Sequence, residues 1–289
     1  MNKYFLLRSF LFLSLGYCFS PLSAQLNYTY ESNLPYPQIA THQQWENSNV
    51  SLINGSEMLW GTTLRDPGSG REEVYLQVAD PGGSVIWDFR YASNLYDPNL
   101  QFHGLVQDGN QIIVAASNDL NPGFSSFPYI MGVDLWSGNV NWTLPLIFSD
   151  AVEIKDMQII QDMSGAGEFV IAMSIQTVYG LNPYPNDWSG LAVMKVDQAG
   201  NLIWLETYRE PGTIADHFRL TDLIQSNITG NYVLAGAYSG TGITLGEAFL
   251  LEVDQGSGVM TSPLNLYNFV GGPEEHISVT DDGNQYLMT

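Results

Sequence analysis

The chain has 289 residues, 30 of them acidic and 9 basic, a formal net charge of −21 and a single cysteine. That balance excludes the basic groove that nucleic-acid phosphates require, and one cysteine excludes a disulfide framework. Charged residues reach only 13% while there are 28 glycines. This is the composition of a turn-rich β protein, and no stretch carries the sustained 3.6-residue apolar period of a long helix.

Lys3 and Arg8 precede the apolar run Phe10 to Phe19, and Leu22-Ser23-Ala24 offers a small-residue cleavage site before Gln25. Charge, length and site predict an export signal over residues 1–24, too short to span a bilayer. Cys18 lies inside it, and Tyr17 before it does not suit a lipid-modified cysteine. The mature chain then has 265 residues, 7 basic and 30 acidic side chains and no thiol. Its stability must come from a core, and at this length ~70–75% of the unfolded surface can be buried. No later segment is apolar enough to cross a membrane, so the chain is expected to be secreted or displayed on the cell surface.

From residue 49 one pattern recurs: a glycine turn, an apolar strand, a long loop, a strand ending in Asp, a second glycine turn, and a strand that usually carries Trp. The first-turn glycines Gly55, Gly109, Gly167, Gly230 and Gly283 are spaced by 54, 58, 63 and 53 residues. The terminal Asp residues are Asp80, Asp134, Asp197 and Asp254. A period near 50 in an all-β pattern predicts a β-propeller of four-stranded antiparallel blades. Four blades are complete, at about 49–101, 102–154, 155–218 and 219–273, and a fifth begins over 274–289. The fifth stops in mid-hairpin, so a truncated chain is expected. Residues 25–48, rich in Tyr, Asn and Pro, are read as a segment able to supply a closing strand.

The turns have local causes. Asp-Gly and Gly-Asn pairs supply the positive φ of tight hairpins. The repeat Asp, followed by Gly three or four residues on, reads as an acceptor for turn amides and lacks the oxygen ladder of a Ca²⁺ loop. Trp87, Trp142 and Trp204 follow it by seven or eight residues and are read as packing anchors between blades.

Gly271-Gly272, Glu274 and Ile277 to Gly283 resemble the opening of repeats in exported Bacteroidetes-type β-propellers. Lys195 to Tyr208 resembles their closing half. The resemblance implies architecture and export, with no shared catalytic residues. Val133-Asp134-Leu135-Trp136-Ser137-Gly138-Asn139-Val140-Asn141-Trp142 resembles the Trp-docking repeat of quinone-dependent dehydrogenases. That would imply an axial quinone with Ca²⁺ and often a vicinal disulfide, for which the mature chain has no cysteine.

Topology places the long second-to-third strand loops on the same rim as the connections between blades, and long loops on a rigid scaffold carry binding. The aromatics Phe124, Phe127, Tyr129, Tyr184 and Trp188 belong to these loops and either face sugar or peptide ligands or tuck against blade edges. The connections bring His103, His217 and His276 and the carboxylates Asp97, Asp150, Glu153, Asp216, Glu274 and Glu275 toward the channel mouth. There they form a cation-attracting funnel that could take Ca²⁺ or remain a solvated ring. No Gly-x-Ser-x-Gly or paired-His zinc motif appears, so no catalytic residue is assigned. The expected function is a binding or scaffold module for an extracellular glycan or protein, with no required cofactor and no nucleic-acid partner. The alternative is a propeller enzyme: a quinone-dependent dehydrogenase, or a polysaccharide lyase or hydrolase.

Overall fold

The computed structural model describes residues 30–31, 49–53, 57–65, 70–93, 99–121, 125–148, 152–177, 189–210, 217–239, 247–267 and 277–288. They form four antiparallel sheets that run in chain order. Blade one holds β2 (Asn49–Ile53), β3 (Glu57–Arg65), β4 (Glu72–Ala79) and β5 (Val85–Tyr91), with β1 (Tyr30–Glu31) paired to the outer edge of β5. Blade two holds β6 (Leu100–Asp108), β7 (Gln111–Asn121), β8 (Ser125–Asp134) and β9 (Val140–Pro145). Blade three holds β10 (Val152–Gln161), β11 (Glu168–Thr177), β12 (Ser189–Asp197) and β13 (Leu202–Glu210). Blade four holds β14 (His217–Gln225), β15 (Tyr232–Ser239), β16 (Glu247–Val253) and β17 (Asn265–Tyr267). A last hairpin pairs β18 (Val279–Asp281) with β19 (Tyr286–Met288). The first strands pack on one another, β6 on β10 and β10 on β14, and so line the axis. This is the propeller architecture that the repeat predicts.

The core lies between blades rather than within them. In β7, Ile112, Val114 and Ala116 face blade one, whereas Ile113 and Ala115 face blade three. In β11, Ile171 and Met173 face back while Val170 and Ala172 face blade four. A second strand buried on both faces has no polar side, which is why its sequence reads as an unbroken apolar run.

The outer-strand aromatics tie each blade to the next. Trp87 Nε1 donates to Leu135 O at 2.8 Å, Trp142 Nε1 to Gln198 O at 2.9 Å, and Tyr91 OH to Gly138 O at 2.7 Å. They land on the glycine turns of the following blade. A Cβ on Gly200, whose φ is +83°, would sit 2.5 Å from the Trp142 ring. Gly83 has the same backbone, φ +82°, and nothing within 4 Å. Gly200→Ala is therefore expected to lower stability by about 3 kcal/mol, combining left-handed strain with overpacking. Gly83→Ala should lose about 1 kcal/mol from strain alone. Urea midpoints of the two variants check this, and equal losses would show that the aromatic socket adds nothing.

The repeat Asp residues are turn acceptors. Asp134 Oδ1 accepts from Ser137 N and Ser137 Oγ, both at 2.7 Å. Asp197 Oδ1 accepts from Ala199 N at 2.9 Å and Asn201 N at 2.8 Å. Asp254 repeats the Ser pattern with Ser257 at 2.7–2.8 Å. The Ser137 and Ser257 hydroxyls hold Asp134 and Asp254 below the usual carboxylate range.

Two strands differ from expectation. The fourth strand of blade four is read from sequence as Val259–Tyr267. It is a bridge at Met260 followed by bends and then β17. Pro263 has no N–H to give the ladder. In blade two, β8 begins at Ser125, so Phe127 and Tyr129 belong to a strand and not to a loop. Each is 1% exposed and packs in the core between blades one and two.

Candidate functional site

The three axial strands β6, β10 and β14 break their registers at one equivalent point. The slip lies between Phe102 and Gly104, between Ile154 and Asp156, and between Leu220 and Asp222. Each bulge inserts one residue, His103, Lys155 or Thr221, and re-aims the side chains just beyond it. His103 and Lys155 lie in the half of the strand nearest the inter-blade connection, on the channel-mouth side, and Thr221 lies at the midpoint of β14.

The bulges place polar groups at successive blade junctions. In β6, His103 Nε2 is 2.8 Å from Ser117 Oγ on β7. In β10, Asp156 Oδ2 accepts from Ser174 Oγ at 3.1 Å, and Ser174 Oγ accepts from Asp156 N at 3.1 Å. In β14, Asp222 Oδ2 accepts from Ser278 Oγ and Val279 N, both at 2.8 Å, and Asp222 Oδ1 accepts from Leu223 N at 2.9 Å. Asp156 and Asp222 hold the same register position, yet their duties differ. Asp222 clamps the β18 hairpin to blade four. Asp156 has a serine partner, with the Arg219 guanidinium of blade four in its field.

Burial pushes the Asp156 carboxyl above its ordinary range, against the pull of Ser174 and Arg219. Burial likewise drives His103 down to about 4. The unfolded chain protonates this histidine first, near 6.5. Its contribution to stability is therefore complete above pH 6.5 and is lost as pH falls toward 4. We expect wild type to lose on the order of 2 kcal/mol relative to His103→Gln across that window, after discounting for partial exposure. Paired urea titrations at pH 7 and pH 4 measure it, and a constant difference would mean that His103 titrates normally.

The other sequence-predicted residues fall in several places. Glu153 is exposed on β10 and pairs with Lys155, Glu153 Oε2 to Lys155 Nζ 2.7 Å. His217 opens β14, with its side chain outside the described residues. Phe124, Tyr184, Trp188, His276, Asp97, Asp150, Asp216, Glu274 and Glu275 also lie outside them. Among the described residues, no group of three or more His, Cys, Asp or Glu side chains is gathered to hold a metal. Sequence reasoning missed Asp156, Ser174 and Arg219. A lone Asp inside the run Val152–Gln161 was its available signal.

No protein-family model matches the chain, and no curated protein matches it significantly. Among solved structures, the α-L-arabinanase of Penicillium chrysogenum, complexed with arabinobiose, aligns at a TM-score of 0.55 and 10% identity. The alignment covers 91% of this chain and 80% of that one. A GH93 α-L-arabinofuranosidase of Fusarium graminearum aligns at 0.47 and 11% identity, over 81% of this chain and 67% of that one. The first alignment supports a shared fold. The expected kinship with Bacteroidetes-type or quinoprotein-like repeats is thereby corrected. The Asp-turn, glycine and Trp pattern that suggested it serves the turns and blade junctions of this fold.

Proposed function

We propose that this propeller is a polysaccharide-directed glycoside hydrolase working at the axial mouth, outside the cell that exports it. The observation that carries the reading is Asp156. It stands on an axial bulge with a raised carboxyl, while its counterpart Asp222 is tied up as a clamp. Glycosidic cleavage needs one carboxyl that stays protonated to give its proton to the leaving oxygen, and a second carboxylate to assist at the sugar carbon. Asp156 suits the first role. Among the described residues, Glu153 is the exposed carboxylate on the same strand, steadied by Lys155 at 2.7 Å, and suits the second. The shared fold with an arabinanase supports a hydroxyl-rich polymer as substrate.

The test is release of reducing sugar from linear arabinan, xylan, mannan and polygalacturonate by the exported protein, with Asp156→Asn as control. Release that depends on Asp156 supports the reading. No release from any polymer, or release indifferent to Asp156, removes it.

A further inference from the structure

On the rim opposite the axial mouth, a groove of about 620 Å³ opens between blades two and three, lined by Asn110, Asp134, Asn141, Trp142, Asp197 and Gln198. Its floor is fixed. Trp142 Nε1 donates to Gln198 O at 2.9 Å, and Gln198 Nε2 donates to Asp108 Oδ2 at 3.3 Å. With its amide turned so that nitrogen and oxygen exchange places, Gln111 bridges the same atoms, donating to Gln198 O at 3.1 Å and sharing the Trp142 Nε1 proton at 2.8 Å. Asp134 and Asp197 are kept ionised by donors within their own turns.

Trp136 stands beside this groove. Its side chain is 48% exposed, and its Nε1 donates to Asn110 Oδ1 at 3.3 Å. The corresponding position, two residues after the repeat Asp, holds Gly82, Ala199 and Gly256 in the other blades. The hairpin therefore does not need an aromatic there. Trp87, Trp142 and Trp204 perform the inter-blade packing without it. A large apolar ring is thus kept in water, held by a hydrogen bond beside a bank of amides and carboxylates.

That combination matches the two surfaces of a sugar. A ring of C–H groups stacks on an indole face, and hydroxyls bond to fixed amides and carboxylates. Asp134 and Asp197 would repel a uronate or a sulfated sugar. We propose that this turn-rim groove is a second, non-catalytic glycan-binding site, which takes neutral sugar chains by stacking on Trp136. The assignment does not depend on hydrolysis at the axial mouth.

The experiment is affinity electrophoresis of the whole protein in gels containing arabinan, xylan, mannan or polygalacturonate. Wild type is compared with Trp136→Ala, Trp136→Phe and Asp156→Asn. We expect at least a tenfold loss of affinity for a neutral polymer in Trp136→Ala and a loss within threefold in Trp136→Phe. The Trp136→Ala loss should be of the same size in the Asp156→Asn background, and polygalacturonate should not retard the protein. Cleavage of short soluble oligosaccharides should be unchanged by Trp136→Ala. Undiminished retardation of Trp136→Ala, retardation by polygalacturonate in preference to the neutral polymers, or no retardation of wild type by any neutral polymer would each overturn the site. A Trp136-dependent pull-down that yields protein free of glycan would also overturn it. Trp136-dependent binding without sugar release would remove the catalytic reading and leave this site standing.

Discussion

Asp156→Asn is expected to lower sugar release by about 10² to 10⁴-fold, the usual contribution of a positioned general acid. The asparagine keeps the shape and can still accept from Ser174 Oγ, so the fold should be unchanged by circular dichroism. The pH profile separates a catalytic role from a structural one. A carboxyl that must be protonated to act gives an activity that declines as pH rises through its pKa. Because burial raises that pKa, the declining limb should lie above the ordinary carboxylate range. Arg219 opposes the shift, so Arg219→Gln should move the limb to still higher pH. A limb that stays in place in Arg219→Gln, or activity that survives in Asp156→Asn, would mean that the proton comes from elsewhere.

Lys195→Met should have the largest effect on stability. Lys195 Nζ lies 2.5 Å from Asp162 Oδ2 and 2.5 Å from Glu168 Oε2, and the Asp162 side chain is 0% exposed. Tyr232 OH, from blade four, donates to the same Asp162 oxygen, and Gln225 Nε2 donates to Asp162 Oδ1 at 3.3 Å. Burial alone would push Asp162 up. The bonds from Lys195 and Tyr232 overcome it and hold the carboxyl well below the usual range. Removing the lysine leaves a buried carboxylate uncompensated, a loss of about 3–5 kcal/mol. At roughly 2–4 °C per kcal/mol for a chain of this size, the melting temperature should fall by about 10 °C. Adding Asp162→Asn should restore part of it, because the stranded charge is gone. A fall of less than about 1 kcal/mol would mean that water reaches the carboxylate.

The sequence was legible wherever the cause is local. The Asp turns, glycine positions and apolar strands depend on neighbours within a few residues, and the four-stranded antiparallel sheets follow from them. The Trp period was legible too, but its chemistry was not uniform. Two residues before the repeat Asp, blade two has Gly132 and blade three has Lys195. Lys195 Nζ reaches Gln255 O at 3.4 Å, the place corresponding to the acceptor of Trp142. Trp204 Nε1 is left buried without a partner in consequence. No single-residue signal announces such an exchange across 60 positions.

The axial site was hidden for a related reason. A bulge is a mismatch of register between two strands, so neither strand shows it alone. His103 looked like a residue of a connecting segment, and Asp156 fell outside the first strand of blade three as read from the sequence, whereas β10 begins at Val152. Phe127 and Tyr129 were read as the end of a long loop, although they alternate with Met131 toward the same core.

The placement of the core between blades has a consequence for how such a chain can change over time. Each hydrophobic layer is the joint property of two adjacent repeats, so a substitution is judged by one facing surface and is invisible to the others. One junction can drift from an indole donor to an ionic cluster while its neighbour keeps the older solution. The repeats of one chain can therefore differ pairwise in how each layer is filled while the blade geometry persists. A shared fold at 10% identity requires only that each layer be filled, not that the same residues fill it.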